Sequence, residues 1–120
     1  MATQDQVKAA ARTLDLFEAF ASAGGPLSLT EIAQRIQVPI SSCHSLVRTL
    51  QVRGYVYVLE DRKRIYPTRR LAAIAQSIGR YDPVLDRLAP IVAELAHVTG
   101  ETVIIGKMQG DIVTYLDVVP

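Results

Sequence analysis

The sequence predicts a mainly α-helical fold with a small β-hairpin, followed by a further helix and a partial α+β unit. Three observations support this prediction. Apolar residues recur at helical spacing in the first 53 residues, aromatic and branched residues flank a charged turn at residues 60–64, and two apolar strands follow a helix in the last third. Hydrophobic residues make up 49% and charged residues 21% of the 120 residues, as in a globular chain.

The first helix is predicted over residues 6–22, and Gly24-Gly25-Pro26 ends it. Apolar residues repeat there at alternating steps of three and four, which indicates an amphipathic helix. We expect this stripe to cover the back of the next two helices, and a partly apolar outer surface could meet a second copy of the chain. The stripe consists of Val7, Ala10, Leu14, Phe17 and Ala21, broadened by Ala11 and Phe20.

A second helix is predicted to begin at Leu29. Ser28 and Glu31 have the spacing of a capping box, in which the Ser28 hydroxyl accepts from the Glu31 amide and the Glu31 carboxylate accepts from the Ser28 amide. The helix should end near Ile36, because Pro39 forces the residue before it out of the helical region.

A third helix is predicted from Pro39, as its first residue, to Arg53. Its buried stripe consists of Cys43, Leu46, Val47 and Leu50. The opposite face carries Ser41, Ser45 and Arg48, flanked by Ser42, His44 and Thr49.

The exposed face of this third helix has the composition that a DNA groove requires. Short hydroxyls can bond phosphates and base edges, an arginine can pair with guanine, and no acid between Pro39 and Arg53 repels the phosphates. The pattern favours a helix-turn-helix with residues 39–53 as its recognition helix. An ordinary solvated face, or the face of a protein-interaction module, would carry similar serines.

A β-hairpin is predicted directly after the recognition helix. Gly54 ends the helix, residues 55–59 and 65–68 are typical of strands, and the turn between them holds three consecutive cations, Arg62, Lys63 and Arg64. Such a wing can lie along a phosphate backbone or enter the minor groove. Beside a serine-rich helix, these cations favour DNA binding and predict a winged helix-turn-helix domain over residues 5–68.

A helical linker and an incomplete domain are predicted after the wing. Arg69 and Arg70, weaker candidates for phosphate contact, begin a linker over residues 69–81, whose apolar face holds Leu71, Ile74, Ala75 and Ile78.

Residues 82–120 are expected to form the N-terminal part of an α+β domain. They contain a helix over residues 84–99, kinked or interrupted at Pro90, and two strands at residues 102–108 and 112–119. One helix and two strands leave a sheet edge and a sheet face uncovered, so we expect a truncated chain or the remnant of a longer protein.

The charge is distributed unevenly along the chain, although the net charge is only +1. Residues 1–70 hold ten Lys and Arg against six Asp and Glu, whereas residues 71–120 hold three against six. A basic first half beside an acidic second half suggests a nucleic-acid-binding module joined to a different unit.

Other classes of protein find little support. No apolar run is long enough to span a membrane, and the N-terminus has an acid at Asp5 and no signal-type apolar core, so we expect a cytoplasmic protein with no membrane partner. The single cysteine, Cys43, falls on the buried stripe, and Glu94 with His97 supplies too few ligands for a metal. We expect no catalytic residue, no metal site and no cofactor.

The order of the elements and their residues resembles the IclR family of bacterial transcription regulators. The resemblance runs from about Val7 to Val119. Its most specific parts are Pro39-Ile40-Ser41-Ser42 with His44 and Leu46, the stretch from Leu50 to Gly54-Tyr55, and the turn Thr99-Gly100-Glu101-Thr102. The chain departs from the family pattern at Ser45, where Arg is common, and at Pro67-Thr68, where Leu-Gly is frequent.

The resemblance implies a winged-helix DNA-binding domain, a helical linker and a C-terminal domain that binds a small, often acidic, metabolite. It also implies dimers or tetramers, paired through the N-terminal helix and the linker, that bind palindromic promoter sites as repressors or activators. Only the opening of the effector-binding domain is present, so the effector-binding residues are unknown and an effector is expected only with the missing C-terminal part.

We therefore predict a sequence-specific transcription regulator, not an enzyme, that binds a double-stranded DNA operator as a homodimer or tetramer. A winged-helix protein-interaction module without DNA binding is the alternative, and the lack of a large apolar or aromatic patch on the recognition face disfavours it. An enzyme or small-molecule-binding domain would need a phosphate loop or a paired acid and base. The candidate DNA-binding residues are Ser41, Ser42, His44, Ser45, Arg48, Arg62, Lys63 and Arg64.

Overall fold

The computed structural model describes residues 5–59 and 63–120, which fall into two compact units that divide between Ala75 and Gln76. The predicted fold class is confirmed, since helices dominate and the two sheets are small and antiparallel. The domain limits at residues 68 and 81 stay predictions, because the division between the two units falls inside the predicted linker, between Ala75 and Gln76. The elements in chain order are α1 (Lys8–Ala23), β1 (Leu27–Ser28), α2 (Leu29–Ile36), α3 (Ile40–Val52), β2 (Val56–Leu59), β3 (Arg64–Pro67), α4 (Arg69–Gly79), α5 (Pro83–Thr99), β4 (Val103–Gln109) and β5 (Ile112–Val119).

One apolar core holds the first unit together, and every helix and strand from α1 to β3 contributes to it. Burial raises the pKa of the Cys43 thiol, and its Sγ lies 3.7 Å from the Leu29 carbonyl oxygen, as expected of an unreactive core cysteine. Phe20 meets the Tyr66 ring edge to face, with 5.9 Å between centroids. The core residues are Leu16, Phe20, Leu27, Ile32, Ala33, Cys43, Val47, Leu50, Val56 and Ile65.

The predicted buried face of α1 is wrong in part. Phe20, which broadened the predicted stripe, is buried, and Phe17 packs half-buried against the core. Leu16, which the stripe left out, is also buried, whereas Val7 and Leu14 are 71% and 65% exposed. Leu16 and Phe20 lie one turn apart and remove more apolar area from water than the alanines of the stripe do, which decides the face that packs.

The capping box at the start of α2 is confirmed. The Glu31 amide donates to the Ser28 hydroxyl over 3.2 Å, and the Ser28 amide donates to the Glu31 carboxylate over 2.9 Å. The two bonds satisfy amides that a helix start leaves unpaired.

Replacing Ser28 with alanine should lower the free energy of unfolding by about 1 kcal/mol, because the Glu31 amide loses its acceptor. Urea denaturation followed by circular dichroism measures the change. Ser22→Ala, in the exposed surface of α1, is the matched control and should stay within about 0.5 kcal/mol of the parent. Equal losses in the two variants would contradict the role of the cap.

The turn between α2 and α3 comprises Gln37, Val38 and Pro39. Gln37 adopts a left-handed conformation, with φ at 58°, and its amide donates to the Ala33 carbonyl. Pro39 is the residue before the helix and not its first residue, because its ψ of 148° is extended. The Cys43 amide donates to the Pro39 carbonyl over 3.0 Å, so Pro39 still closes the first turn of α3.

The wing is a three-stranded sheet in the order β1-β3-β2, in which β1 was not predicted. Strands β2 and β3 lie within one residue of their predicted limits. Arg64 was predicted in the turn and is instead the first residue of β3, paired with Ser28 on one side and Leu59 on the other. Strand β3 thus begins one residue earlier than predicted, at a residue that pairs with both neighbouring strands. Two residues are too few to give β1 a strand pattern in the sequence.

In the second unit, α5 packs against a hairpin of β4 and β5. The Asp82 carboxylate accepts from the amides of Val84 and Leu85, and Pro83 is the first helical residue. The predicted kink or interruption at Pro90 is wrong in one respect, since α5 runs unbroken through Pro90 from Pro83 to Thr99. The helix gives up one backbone hydrogen bond at this proline and continues.

Strands β4 and β5 pair from Val103 with Val119 to Gln109 with Ile112, around the two-residue turn Gly110-Asp111. Gly110 has a φ of 62°, which glycine adopts without steric cost. None of the helices in the described ranges has the length and apolar character needed to cross a membrane.

Candidate nucleic-acid interface

Helix α3 is buried on one side and exposed to solvent on the other. Cys43, Val47 and Leu50 anchor it in the core, and Leu46 is half-buried against the same cluster. The opposite side is open to solvent along the whole helix, as the 100° step between residues requires. Ser42, one of the predicted residues, is half-buried. The other four predicted residues on this helix are exposed, namely Ser41, His44, Ser45 and Arg48.

A shallow furrow runs along each side of the exposed face of α3. The α1 furrow separates α3 from the first turns of α1, and the wing furrow separates α3 from the hairpin. The α1 furrow is lined by Ala9, Arg12, Thr13, Ser42, Ser45, Leu46 and Thr49. The wing furrow is lined by Leu29, His44, Val47, Arg48, Gln51, Val58, Lys63 and Ile65.

Both furrows are positive or neutral in charge. Arg12 stands in the α1 furrow, and Arg48 with Lys63 stands in the wing furrow. Neither furrow has an acidic residue among the described residues that line it, so none of these residues repels a phosphate. A negatively charged polymer bound along α3 would therefore meet a positively charged side chain on each side of the helix.

Two hydroxyls on the exposed face are hydrogen-bonded within the helix. The Ser45 hydroxyl donates to the Ser41 carbonyl oxygen over 3.3 Å, and the Thr49 hydroxyl donates to the Ser45 carbonyl oxygen over 3.0 Å. Each bond joins residues one helical turn apart and directs the hydroxyl hydrogen toward a carbonyl oxygen of the preceding turn.

The three predicted wing cations are in different situations. Arg62 lies outside the described residues. Lys63 is exposed beside the tip, in a left-handed conformation with φ at 50°, and it faces the wing furrow. Arg64 is half-buried in β3. Hydrogen bonds from the Ser28 amide and hydroxyl lower the pKa of the Glu31 carboxyl, and the charge of Arg64 lowers it further. The charge of Arg64 thus also acts on an acid of its own domain.

The pKa of Glu31 predicts how stability depends on pH. A carboxyl whose pKa is lower in the folded state stabilises the fold above its unfolded pKa, and the contribution disappears as the pH falls through the folded pKa. Glu31→Gln should therefore be less stable than the parent at neutral pH and equally stable in acid below that pKa. Urea midpoints at the two pH values test this, and a gap that persists in acid would contradict it.

The weaker candidates Arg69 and Arg70 differ in their surroundings. The Arg70 guanidinium lies 5.3 Å from the centre of the Tyr55 ring, a cation–π contact that holds it against the wing base. The Thr68 hydroxyl donates to the Gly54 carbonyl over 2.6 Å and accepts from the Arg70 amide over 3.2 Å. Both arginines are exposed, but only Arg70 has a contact that stabilises the start of α4 against the wing.

Sequence reasoning missed Arg12 and Gln51 as members of this surface. Arg12 belongs to α1, which was assigned only a covering role, yet it lines the same furrow as Ser42 and Ser45. Lys8 and Arg12, one turn apart at the start of α1, were the available signal. Gln51 follows His44 by two turns on α3 and could have been assigned to the wing side from its position alone.

The chain matches known proteins in sequence. Residues 9–60 match the IclR helix-turn-helix domain. The chain is 31% identical over 110 residues to the HTH-type transcriptional regulator BhcR of Paracoccus denitrificans (strain Pd 1222), covering 92% of this chain and 39% of that protein. It is 31% identical over 98 residues to the transcriptional repressor IclR of Escherichia coli (strain K12), covering 82% of this chain and 36% of that protein. The chain thus spans less than half the length of these relatives.

Solved structures support the fold. An IclR family transcriptional regulator from Brucella abortus superposes with a TM-score of 0.71 at 22% identity, covering 97% of this chain and 44% of that one. The Thermotoga maritima IclR structure gives a TM-score of 0.61 at 22% identity, covering 95% of this chain and 46% of that one. At this identity the likeness concerns the arrangement of the elements.

Proposed function

Because the chain belongs to the IclR family, with its helix-turn-helix domain at residues 9–60, we propose that it is a sequence-specific transcription regulator whose helix α3 enters the major groove of DNA. One observation carries this proposal. The exposed side of α3 offers hydroxyls, an imidazole and a guanidinium with no acid among the described furrow residues, and cations flank it on both sides. Such a surface suits a groove bordered by phosphates.

The proposed role of each residue follows from its position at the centre, border or flank of the exposed face. Ser41, Ser45 and Arg48 occupy the centre of the exposed face and would meet base edges, with Ser42 and His44 at its borders. Arg12 on one flank and Lys63 on the other would neutralise phosphates on the two strands. Arg62 stays a proposed phosphate contact on sequence grounds. Arg64 is a weaker one, because its side chain is half-buried in β3.

Selection from a pool of random duplex DNA tests the proposal. A sequence-specific regulator enriches one consensus, and a palindromic consensus would support binding by a pair of chains. If repeated rounds enrich no sequence, the chain is not a sequence reader and the proposal fails.

Removing the Lys63 charge should weaken binding to every DNA sequence alike. We expect Lys63→Gln to reduce the slope of log affinity against log salt by roughly one unit, because one phosphate contact and its released counterion are lost. Fluorescence anisotropy over a range of salt concentrations measures the slope. Lys107→Gln, in the second unit, is the matched control and should leave the slope unchanged. An unchanged slope for Lys63→Gln would remove the wing from the interface.

The wider proposal concerns the whole protein. The exposed Leu14 of α1 and Val7 just before that helix give two copies an apolar surface on which to pair, in support of a homodimer or tetramer on a palindromic operator. We further propose that the protein acts in the cytoplasm as a regulator and not as an enzyme. Its small-molecule effector would bind through residues beyond the part that this chain shares with its relatives.

A further inference from the structure

Two hydroxyls on the exposed face of α3 already donate hydrogen bonds within the helix. Ser45 donates to the carbonyl of Ser41, and Thr49 donates to the carbonyl of Ser45. We infer that Ser45 and Thr49 read DNA as hydrogen-bond acceptors, and that they therefore select bases carrying an amino group in the major groove. The inference rests on the proposed function and specifies what the interface recognises.

The chemistry of a hydroxyl leads to this division of roles. A hydroxyl has one hydrogen to donate and two lone pairs that accept. With the hydrogen directed to a carbonyl of the same helix, the lone pairs are what each side chain presents outward. When DNA excludes water from the surface, keeping that bond leaves no donor unpaired, whereas turning the hydrogen toward a base would give up an existing bond.

The major groove offers few partners for an acceptor. The exocyclic amino groups of adenine and cytosine are the base-edge hydrogen-bond donors there, while guanine and thymine present only acceptors to it. Ser45 and Thr49 should therefore favour adenine or cytosine on the strand that they face. Arg48, which carries only donors, complements them by pairing with guanine.

The positions of the two residues fit this reading. Ser45 is the sixth residue of α3, which begins at Ile40, and the first turns of a recognition helix approach the bases most closely. Thr49 lies one turn further along, and both side chains line the α1 furrow. They can thus meet neighbouring bases of one strand.

The test removes single amino groups from the DNA. The probe is the duplex that the wild-type chain selects, with purine replacing one adenine or pyrimidin-2-one replacing one cytosine, so that only the amino group is lost. We expect binding by the wild-type chain to weaken about two- to tenfold at the contacted bases, the loss of one hydrogen bond. Thr49→Val and Ser45→Ala should bind the unmodified duplex more weakly by the same factor.

The decisive comparison combines the two changes. If a hydroxyl bonds an amino group, the variant chain should show no further loss on the modified duplex. Thr49→Ser, which keeps the hydroxyl, should behave as the wild type does. Losses that multiply, or a selected site that tolerates removal of every amino group, would overturn the inference and leave the proposed function intact. A wild-type chain that selects no sequence would overturn both.

Discussion

Replacing Ile32 with alanine should lower the free energy of unfolding of the first unit by about 2–5 kcal/mol. Ile32 is 0% exposed and belongs to the one core cluster that α1, α2, α3 and the wing share. The smaller side chain would lose apolar contact and leave a cavity, and α3 would lose part of the support that fixes its direction. Urea denaturation followed by circular dichroism measures the loss.

Ile40→Ala is the matched control for this prediction. Ile40 is in the same unit but is 52% exposed at the start of α3, so the same chemical change should alter stability by no more than about 0.5 kcal/mol. Similar losses in the two variants would show that burial does not distinguish the positions, and the described core would be wrong.

Replacing Arg48 with alanine should weaken binding to the selected operator by about 1–3 kcal/mol while changing binding to random DNA much less. The reason is that Arg48 is exposed at the centre of the recognition face and borders the wing furrow, where its planar guanidinium can pair with a guanine. Competition between the operator and random duplexes in a fluorescence anisotropy titration separates the two effects.

Arg87→Ala controls for the loss of one positive charge. Arg87 is exposed on α5 in the second unit and should have no effect on the ratio of the two affinities. If Arg48→Ala reduces operator and random binding equally, Arg48 contacts phosphate and does not read a base.

The elements that the sequence predicts well are those with a strong local signal. Ser28 and Glu31 determine the start of α2 through their own hydrogen bonds, and the apolar stripe of α3 identified Cys43 as a core residue. The exposed recognition face then follows by geometry, because α3 has one buried side.

The parts that could not be predicted depend on distant residues. Both faces of α1 carry apolar side chains, and only packing shows that Leu16 joins the core while Leu14 stays exposed. Strand β1 has only two residues and no pattern of its own, and only its pairing with β3 shows that it is a strand. Arg12 joins the recognition surface only when α1 lies beside α3.

The proposed recognition by α3 depends on both groups of features. Its chemistry is local, since the hydroxyls and Arg48 occupy one side of a single helix. The two flanks of the exposed face depend on tertiary structure, because α1 places Arg12 on one side of α3 and the wing places Lys63 on the other. The affinity for DNA of any sequence should depend mainly on the cations at the flanks, and the preference for one sequence should depend mainly on the exposed residues of α3.

The ratio of affinities for the selected operator and for a scrambled duplex of equal length and composition tests the central claim most directly. We expect the wild-type chain to prefer the operator by about 10³-fold at physiological salt, with both affinities rising steeply as salt is lowered. Equal affinity for the two duplexes, or no binding at low salt, would contradict the assignment of α3 as a reader of DNA sequence.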